Sequence, residues 1–371
     1  MVVPAQDAPA EVRTTHLSWV VLVGGLALKV LRPRRTAFVD QRSVAQRAAA
    51  CAREVELNRR LAPDVYLGTS PVVVEGRTVE HLVVMRRLPA SRSLSALVGT
   101  PELLPAVAAT ARALAAFHAA QPPDPAPQEV ASAEALRDLW DRSLDEVAAP
   151  DSDSRAGTEL DDVRTLAHRW LDGRGPLLTR RIEDGRVRDG HGDLLADDVF
   201  VLPDGPRLLD CLAFDDRLRR SDVLADLAFL AMDLERLAGP PAAAHLVRSY
   251  EDFSGARHPA TLLHHYTAYR ALVRAKIALL RAADGDVPGS AVVGRRLLGL
   301  CRDHLERGRV TLTLVGGGPG SGKSTLAEAL ATAADNGTVV VSTDAVRLEL
   351  DAGGLDAGSS AQACGGARTG H

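Results

Sequence analysis

The chain has 371 residues, of which 46% are hydrophobic and 25% are charged. This composition is ordinary for a globular protein, and the length is sufficient for two domains. Because the formal net charge is −4, no global basic field indicates nucleic acid or an anionic membrane as a partner. The four cysteines are widely separated and include no C-x-x-C pair. Neither a zinc site nor a disulfide framework is therefore expected, and a cytoplasmic location is the default.

Lysine is unusually rare in this chain. Of the 44 Lys and Arg residues, only Lys29, Lys276 and Lys323 are lysines. A lysine that persists where arginine stands almost everywhere else is a candidate for chemistry that a planar guanidinium cannot perform. Lys29 lies in a strand-like run and Lys323 lies in a glycine-rich loop. The chain is therefore predicted to bind nucleoside triphosphate at one or two sites.

The longest apolar stretch, Leu17 to Leu31, is broken by Gly24-Gly25. This pattern predicts two strands joined by a hairpin turn. Because the stretch also carries Lys29 and no basic segment precedes it, neither a signal peptide nor a membrane span is expected. The helical spacing of Ala, Arg, Glu and Leu from Ser43 to Leu61 predicts a helix that carries Glu54.

Strands are predicted early in the chain and helices late. Val72 to Val74 and Val79 to Met85 are typical of a second strand pair, and Pro101 to Ala120 is typical of a helix. A polar run from Asp151 to Gly157 indicates an exposed connection. Long helices then dominate, interrupted by a loop and a strand pair from His191 to Leu212. This order predicts a small lobe that contains a sheet and a larger helical lobe.

Carboxylates cluster at the two ends of the interrupting loop. Asp193 and Asp198 precede a glycine-containing turn, and Asp210 ends the apolar run that follows it. This suits kinase chemistry, in which one acid orients the hydroxyl and others hold Mg²⁺ against the phosphates. The alternative is that Asp193, Asp197 and Asp198 are turn and capping residues on a solvated loop, and the loop taken alone favours this alternative.

Several segments together share a pattern with a known group of proteins. These segments are Thr15 to Val20, Lys29, Glu54 to Gly68, Val84 to Leu88, His191 to Phe200 and Asp210 to Glu235. Through them the chain resembles the aminoglycoside phosphotransferase-like branch of the protein-kinase fold. In particular it resembles bacterial proteins in which such a domain is joined to a C-terminal P-loop kinase-like ATPase domain. The resemblance implies an α+β protein-kinase-like domain with two lobes over residues 10–308.

The resemblance also implies a nucleotide site in the first lobe. Lys29 would contact the α- and β-phosphates of ATP, Glu54 would pair with Lys29, and Met85 would lie at the nucleotide. Two features depart from the family pattern. Gly24-Gly25 is a weak substitute for the glycine-rich loop that covers the nucleotide, and Ala213 stands where this branch usually has Glu.

The catalytic loop is assigned by the same resemblance. Asp193 would be the catalytic base, Asp198 and Asp210 would be the Mg²⁺ ligands, and His191 and Asp226 would brace the loop. Such folds usually carry Asn at the position of Asp198. The change keeps an oxygen ligand but adds negative charge to the metal site.

A second phosphate-binding motif lies near the end of the chain. The sequence Gly317-x-x-x-x-Gly322-Lys323-Ser324 follows an apolar run predicted as a buried strand, Val310 to Val315, and precedes a predicted helix, Thr325 to Ala334. Backbone N–H groups would hold phosphates, Lys323 would reach the β- and γ-phosphates, and Ser324 would bind Mg²⁺. The predicted nucleotide-binding residues of this motif are Gly317, Gly320, Gly322, Lys323, Ser324 and Thr325.

The segment after this motif is short. A strand is predicted from Thr338 to Ser342, and Asp344 to Arg347 resembles the D-x-x-R motif of small-molecule P-loop kinases. No apolar strand ending in a second metal-binding acid follows, and the tail is rich in Gly, Ala and Ser. We therefore expect an incomplete α/β P-loop NTPase fragment over residues 309–350, which binds nucleotide weakly and does not catalyse, and a disordered tail over residues 351–371.

Basic residues on a later helix allow two interpretations. Arg270, Arg274 and Arg281 lie at helical spacing and could face an anionic substrate, but a solvated helix face is favoured. His264-His265 has no acid nearby at ligand spacing, so a metal site is not expected there.

The predicted function is ATP-dependent phosphorylation of a hydroxyl group on a small molecule, with ATP and Mg²⁺ as cofactors. Two alternatives remain open. One is a non-catalytic nucleotide-binding or regulatory protein, and the other is a kinase that inactivates aminoglycosides. The sequence does not indicate the acceptor, because the helices that would line its site carry no diagnostic cluster.

Overall fold

The computed structural model describes residues 10–15, 17–35, 39–148, 154–283, 289–334, 339–343 and 345–347. The chain divides into two units between Arg309 and Val310. The strands are β1 Glu11–Thr14, β2 Ser18–Val23, β3 Leu26–Leu31, β4 Tyr66–Val74, β5 Arg77–Arg86, β6 Val187–Asp189, β7 Val199–Leu202, β8 Gly205–Leu208 and β9 Arg220–Asp222. The helices are α1 Val44–Asn58, α2 Leu103–Ala120, α3 Gln128–Ala131, α4 Ala133–Ala148, α5 Ser154–Asp172, α6 Gly175–Glu183, α7 Asp216–Arg219, α8 Val223–Ala238, α9 Pro240–Ser254, α10 Ala260–Ala283, α11 Ser290–Arg307 and α12 Lys323–Ala334.

The first lobe is an antiparallel sheet covered by α1. The strand order is β1-β2-β3-β5-β4, and the predicted hairpin between β2 and β3 is confirmed. Gly24 adopts a left-handed conformation in that turn, with φ 54°, which glycine adopts without steric cost. The register places Lys29 on β3 between Val20 of β2 and Val83 of β5. Lys29 is thus fixed on a central strand.

Helix α1 begins at a capping box. The Ser43 side chain accepts a hydrogen bond from the Gln46 N–H, and the Gln46 side chain accepts one from the Ser43 N–H. The helix packs against β4 and β5 and buries Cys51, Glu54 and Val55. A buried glutamate needs a charged partner, because burial of an unpaired carboxylate is costly. The sheet supplies that partner.

The second lobe is mainly helical and holds the larger core. Every residue of α8 from Val223 to Leu234 is buried. Helix α10 packs on α8 and α11, and α2 packs on α9. Helix α2 is long and apolar enough to cross a membrane, but half of it is buried within the protein. This is the pattern of a core helix.

Two short antiparallel ladders lie beside this helical core. Strands β7 and β8 pair with each other, and β6 pairs with β9. The strand pair predicted between His191 and Leu212 is therefore confirmed. The exposed connection predicted from Asp151 to Gly157 is wrong from Ser154 onward, because α5 begins there, while Asp151 to Asp153 lie outside the described residues. Ser and Asp are common in loops and also at helix N-termini, so their clustering does not distinguish the two.

The second unit contains the glycine-rich loop and α12. Helix α12 begins at Lys323, two residues before the predicted start at Thr325. The predicted strand from Val310 to Val315 is wrong, because these residues form no ladder and Leu312 and Leu314 are each 85% exposed. No ladder forms among residues 339–342 either, while Thr338 and Asp344 lie outside the described residues. An extended segment needs a neighbouring strand to satisfy its backbone, and none of the described residues supplies one.

Candidate active site

The central feature of the site is a lysine between two carboxylates. Lys29 Nζ on β3 donates to Glu54 Oε1 of α1 at 2.9 Å and to Asp210 Oδ1, just after β8, at 2.8 Å. Burial alone would lower the pKa of Lys29, but the Asp210 and Glu54 carboxylates raise it well above its usual value. Lys29 is therefore a fixed positive charge that can hold anionic phosphate oxygens.

Asp210 is held in an uncommon backbone conformation. Its φ is 61°, and a left-handed conformation costs a residue other than glycine about 1 kcal/mol. The Asp210 N–H donates to the Tyr66 hydroxyl at 3.1 Å, and the Cys211 N–H donates to Asn58 Oδ1 at 2.8 Å. Lys29 lowers the pKa of Asp210, so this carboxylate stays ionised. Its side chain is 59% exposed to solvent, which leaves it accessible to a cation.

The loop that begins at His191 is anchored by a buried carboxylate from α8. Asp226 accepts hydrogen bonds from the backbone N–H groups of His191 and Gly192, both at 2.8 Å. It also lies 3.1 Å from His118 Nε2. Burial would raise the pKa of Asp226, but the hydrogen bond with His118 and the other contacts hold it well below its usual range. The carboxylate thus fixes the start of the loop as an acceptor.

Glycine is required twice at this anchor. A Cβ at Gly190 would lie 2.8 Å from Asp226 Oδ2, closer than real contacts allow. Gly192 has φ 87°, and a Cβ there would lie 3.1 Å from Arg219 Cγ and 3.2 Å from Leu212 Cβ. The close approach of the backbone to Asp226 therefore depends on both glycines.

His191 connects its own loop to the segment that carries Asp210. Its Nε2 donates to the Leu209 carbonyl at 2.9 Å, next to Asp210, and the Leu212 N–H donates to the His191 carbonyl at 3.0 Å. Burial lowers the pKa of His191. The ring is therefore neutral, with its proton on Nε2, and it positions Asp210 relative to the loop.

Asp193 is a weakly partnered carboxylate of the loop. Its side chain is 37% exposed and lies 4.0 Å from an Arg274 guanidinium nitrogen of α10. It accepts no hydrogen bond from the described residues. Partial removal from water raises the pKa of Asp193, while the Arg274 charge opposes this rise. The combination gives a carboxylate that can accept a proton from a bound hydroxyl.

Asp198 ends a single helical turn, Ala196–Asp198. Removal from water and the neighbouring Asp210, Asp193 and Asp197 carboxylates raise its pKa well above the usual value. A divalent cation would relieve this repulsion. Among the residues described, no three His, Cys, Asp or Glu side chains form a ready metal site. Mg²⁺ commonly takes one or two carboxylates and completes its shell with phosphates and water, so Asp198 and Asp210 fit this ion.

Met85 occupies a different environment from the other predicted nucleotide residues. It lies on β5 opposite Tyr66 and Ala27 and belongs to the apolar core of the first lobe, with 9% exposure. Leu209 packs against the same core. A contact between Met85 and a nucleotide stays a prediction.

The glycine-rich loop of the second unit forms a turn, and no described strand pairs with the segment before it. Gly320 and Gly322 have φ 72° and 80°, and Lys323 Nζ donates to the Gly318 carbonyl at 2.7 Å. Ser324 and Thr325 lie in the first turn of α12. The N–H groups at a helix N-terminus favour anions, so this segment can bind phosphate.

The sequence analysis named two arginines of α10 as candidates but favoured a solvated helix face for them. Arg270 is 8% exposed, donates to the Ala225 carbonyl at 3.1 Å and lies 4.7 Å over the Phe229 ring. Arg274 approaches Asp193. The interpretation of this stripe as a solvated face is therefore wrong for both residues. Their spacing of four residues, which places them on one helix face, was the available signal.

A family model identifies the first unit. The phosphotransferase enzyme family matches residues 26–263, a region that contains every residue of the Lys29 site and of the His191 loop. The chain belongs to this family. A second family model, for Zeta toxin, matches residues 298–351. The P-loop fragment thus has support from a family model, although the predicted strands are not formed.

Related sequences occur in mycobacteria. The chain is 39% identical over 351 residues to uncharacterized proteins Rv2004c of Mycobacterium tuberculosis and Mb2027c of Mycobacterium bovis. The matched region covers 94% of this chain and 70% of each relative.

Solved structures share the fold of this phosphotransferase. The GDP and kanamycin complex of APH(2")-IIia has a TM-score of 0.51 with 16% identity, covering 81% of this chain and 94% of that one. A choline kinase from Cryptosporidium parvum has a TM-score of 0.50 with 8% identity, covering 81% and 90%. A thermostable mutant of the aminoglycoside phosphotransferase APH(4)-Ia has a TM-score of 0.50 with 15% identity, covering 82% and 96%. The predicted α+β kinase-like fold is confirmed.

Proposed function

We propose that the first unit transfers the γ-phosphoryl group of ATP to a hydroxyl group of a small molecule. The observation that carries the proposal is the pair of contacts from Lys29, at 2.9 Å to Glu54 and 2.8 Å to Asp210. A strand, a helix and the end of the catalytic segment meet at this one ammonium group. This arrangement fixes a cation where phosphates bind and leaves Asp210 able to take a metal ion.

Each residue has a defined task in this reaction. Lys29 binds the α- and β-phosphates, and Glu54 keeps the ammonium group in place. Asp198 and Asp210 hold Mg²⁺, which when bound neutralises charge on the phosphates. Asp193 accepts the proton of the attacking hydroxyl as the new oxygen–phosphorus bond forms and the bond to ADP breaks.

The raised pKa of Asp193 supports its role as base. A carboxylate whose proton affinity is increased by partial removal from water is a stronger base than one in bulk water. The positive charge of Arg274 opposes this rise in pKa. His191 and Asp226 do not touch the reacting atoms in this scheme. They are positioning residues that hold the loop and Asp210.

We also propose a limited role for the second unit. Its glycine-rich loop binds phosphate weakly through Lys323 and the start of α12, and it does not contribute to phosphotransfer by the first unit. The cytoplasm is the proposed location, because the reaction uses ATP.

The test compares Asp193→Asn with the parent protein. ATP turnover is measured with Mg²⁺, with water or a panel of hydroxylated metabolites as acceptor, and products are identified by their mass gain. Loss of a catalytic base typically costs about 10²- to 10⁴-fold in rate, whereas binding of Mg²⁺·ATP should stay within a few-fold. The matched control is Asp197→Asn, an exposed residue in the same loop, which should keep its activity. Absence of turnover in the parent would support a non-catalytic nucleotide-binding protein instead, and equal turnover by parent and Asp193→Asn would exclude Asp193 as the base.

A further inference from the structure

A cavity of about 300 Å³ lies in the helical lobe between α8, α10 and α11. Its lining includes Arg236, Arg274 and Arg281 around an apolar side formed by Ile277 and Val293. Asp233 also lines it. Small-molecule sites typically combine an apolar wall with a few polar groups that converge on the ligand. This cavity has that composition.

The cavity adjoins the catalytic loop at two points. Arg274, which lines the cavity, lies 4.0 Å from Asp193 Oδ1. Asp233 lines it as well and accepts a hydrogen bond from the Ala196 N–H at 3.0 Å. A molecule in the cavity therefore lies next to the proposed base, where an acceptor has to bind.

The lining is rich in positive charge. Three guanidinium groups face a single carboxylate, and that carboxylate is already engaged. Asp233 is 4% exposed, its Oδ1 accepts from Arg236 at 2.7 and 3.0 Å, and its Oδ2 accepts from Ala196. An ammonium group of a cationic ligand would find no free carboxylate among the lining residues that the structure describes.

Two of the arginines have donors that no described residue accepts. Arg281 makes no hydrogen bond or ion pair with another described residue. The nearest acid to Arg274 is Asp193 at 4.0 Å, which is beyond hydrogen-bond distance. Guanidinium groups bind phosphate and carboxylate through paired N–H donors. The unused donors thus match an oxyanion.

We propose that the acceptor is an anionic small molecule, a hydroxylated compound whose phosphate or carboxylate group binds Arg274 and Arg281 in this cavity, with Arg236 beside them. As an account of the acceptor, this rests on the proposed phosphotransferase function. Binding of the anion itself does not require catalysis.

The test measures binding to the full-length protein by calorimetry. Saturating Mg²⁺ and a non-hydrolysable ATP analogue keep the nucleotide sites occupied. The probes are D-ribose 5-phosphate and D-gluconate as anions, D-ribose as a neutral compound and kanamycin as a cation. We expect at least one anion to bind more tightly than ribose and kanamycin. If neither anion binds more tightly than ribose, the proposal is wrong.

Variants locate the binding to the cavity. Arg281→Gln should weaken anion binding about 10- to 100-fold, the usual loss for charged hydrogen bonds. Arg281→Lys keeps the charge and should give a smaller loss, provided that both variants keep the melting temperature of the parent. The control Arg302→Gln changes an exposed residue of α11 outside the cavity lining and should bind as the parent does. Equal losses in Arg281→Gln and Arg302→Gln would contradict the assignment.

Phosphotransfer assays separate the two proposals. With an anionic acceptor, Arg281→Gln should raise KM at nearly constant kcat, because Arg281 binds substrate without touching the transferred group. Arg281-dependent anion binding without Asp193-dependent turnover would contradict the proposed function and support the anion site. Asp193-dependent phosphorylation of kanamycin, with no anion bound, would support the proposed function and contradict the proposal of an anionic acceptor.

Discussion

The role proposed for Lys29 depends on the shape of its charged group as well as on its charge. Its ammonium group bridges Glu54 and Asp210 at 2.9 and 2.8 Å. We predict that Lys29→Arg reduces ATP affinity or turnover about 10-fold or more, because a planar guanidinium group cannot occupy the position of a compact ammonium group between two carboxylates. The kinetics of ATP turnover measure this effect. Lys276→Arg is the matched control, since Lys276 pairs with Glu146 outside the site, and unchanged kinetics in Lys29→Arg would exclude Lys29 from the site.

His265 gives the protein a predicted dependence of stability on pH. The ring is 1% exposed, its Nε2 accepts from the Trp140 indole N–H at 3.1 Å, and it stacks on Trp170 at 4.0 Å. Burial lowers its pKa to about 3, against about 6.5 in the unfolded chain. Between these values only the unfolded chain binds the proton. The contribution of neutral His265 to the stability of the folded protein is therefore complete above pH 6.5 and is lost as pH falls toward 3.

The size of this effect follows from the linkage relation. One proton bound only by the unfolded chain changes the free energy of unfolding by up to about 1.4 kcal/mol per pH unit. The free energy of unfolding, measured with urea, should therefore fall by about 2 kcal/mol more in the parent than in His265→Gln when the pH is lowered from 6.5 to 5. His245→Gln, at a histidine of α9, serves as control and should keep the slope of the parent. Identical slopes in His265→Gln and the parent would show that His265 is protonated in the folded protein.

At the scale of elements, helix α8 positions the proposed catalytic loop through one carboxylate. Asp226 accepts two backbone N–H groups, each at 2.8 Å. In Asp226→Asn an amide NH2 group replaces one carboxylate oxygen, and it cannot accept a hydrogen bond from the backbone N–H that it faces. Loss of a buried, hydrogen-bonded charge typically costs about 3 kcal/mol or more, and the loop that carries Asp193 should lose its position. We expect kcat to fall more than ATP affinity, as measured by turnover and nucleotide binding.

A control separates this effect from general destabilisation. Asp252→Asn, on α9, breaks an exposed ion pair with Arg257 and should change stability by less than about 1 kcal/mol. A fall in ATP affinity equal to the fall in kcat for Asp226→Asn would show a loss of folded protein and contradict a positioning role.

Local patterns in the sequence predicted the elements that carry the site. The Gly24-Gly25 hairpin, the helix with Glu54 and the strand pair after His191 all follow from turn residues and apolar periodicity, which act over a few residues. The contact between Lys29 and Asp210 spans 181 positions. Periodicity does not reveal such a contact. The resemblance to a family placed both residues at one nucleotide site but predicted no contact between them.

Other features depend on surroundings that local patterns do not specify. The apolar run Val310 to Val315 has strand composition, yet a strand also needs a paired neighbour. Arg274 and Arg281 have the same helical spacing whether α10 faces solvent or a cavity. Helix α11, which completes the cavity, comes later in the chain. Its position relative to α10 is a tertiary property.

The division of the whole molecule leads to a prediction about which unit acts. The core of the first unit ends with Leu297, Cys301 and Leu305 of α11, so the packing that supports Asp193 is complete before Arg309. Truncation after Arg309 should keep Asp193-dependent ATP turnover within a few-fold, and Lys323→Ala in the full chain should do the same. Both variants and the parent are compared by ATP turnover and by melting temperature, with Asp193→Asn as the inactive reference. Activity that disappears in Lys323→Ala but persists in Asp193→Asn would place the chemistry in the second unit.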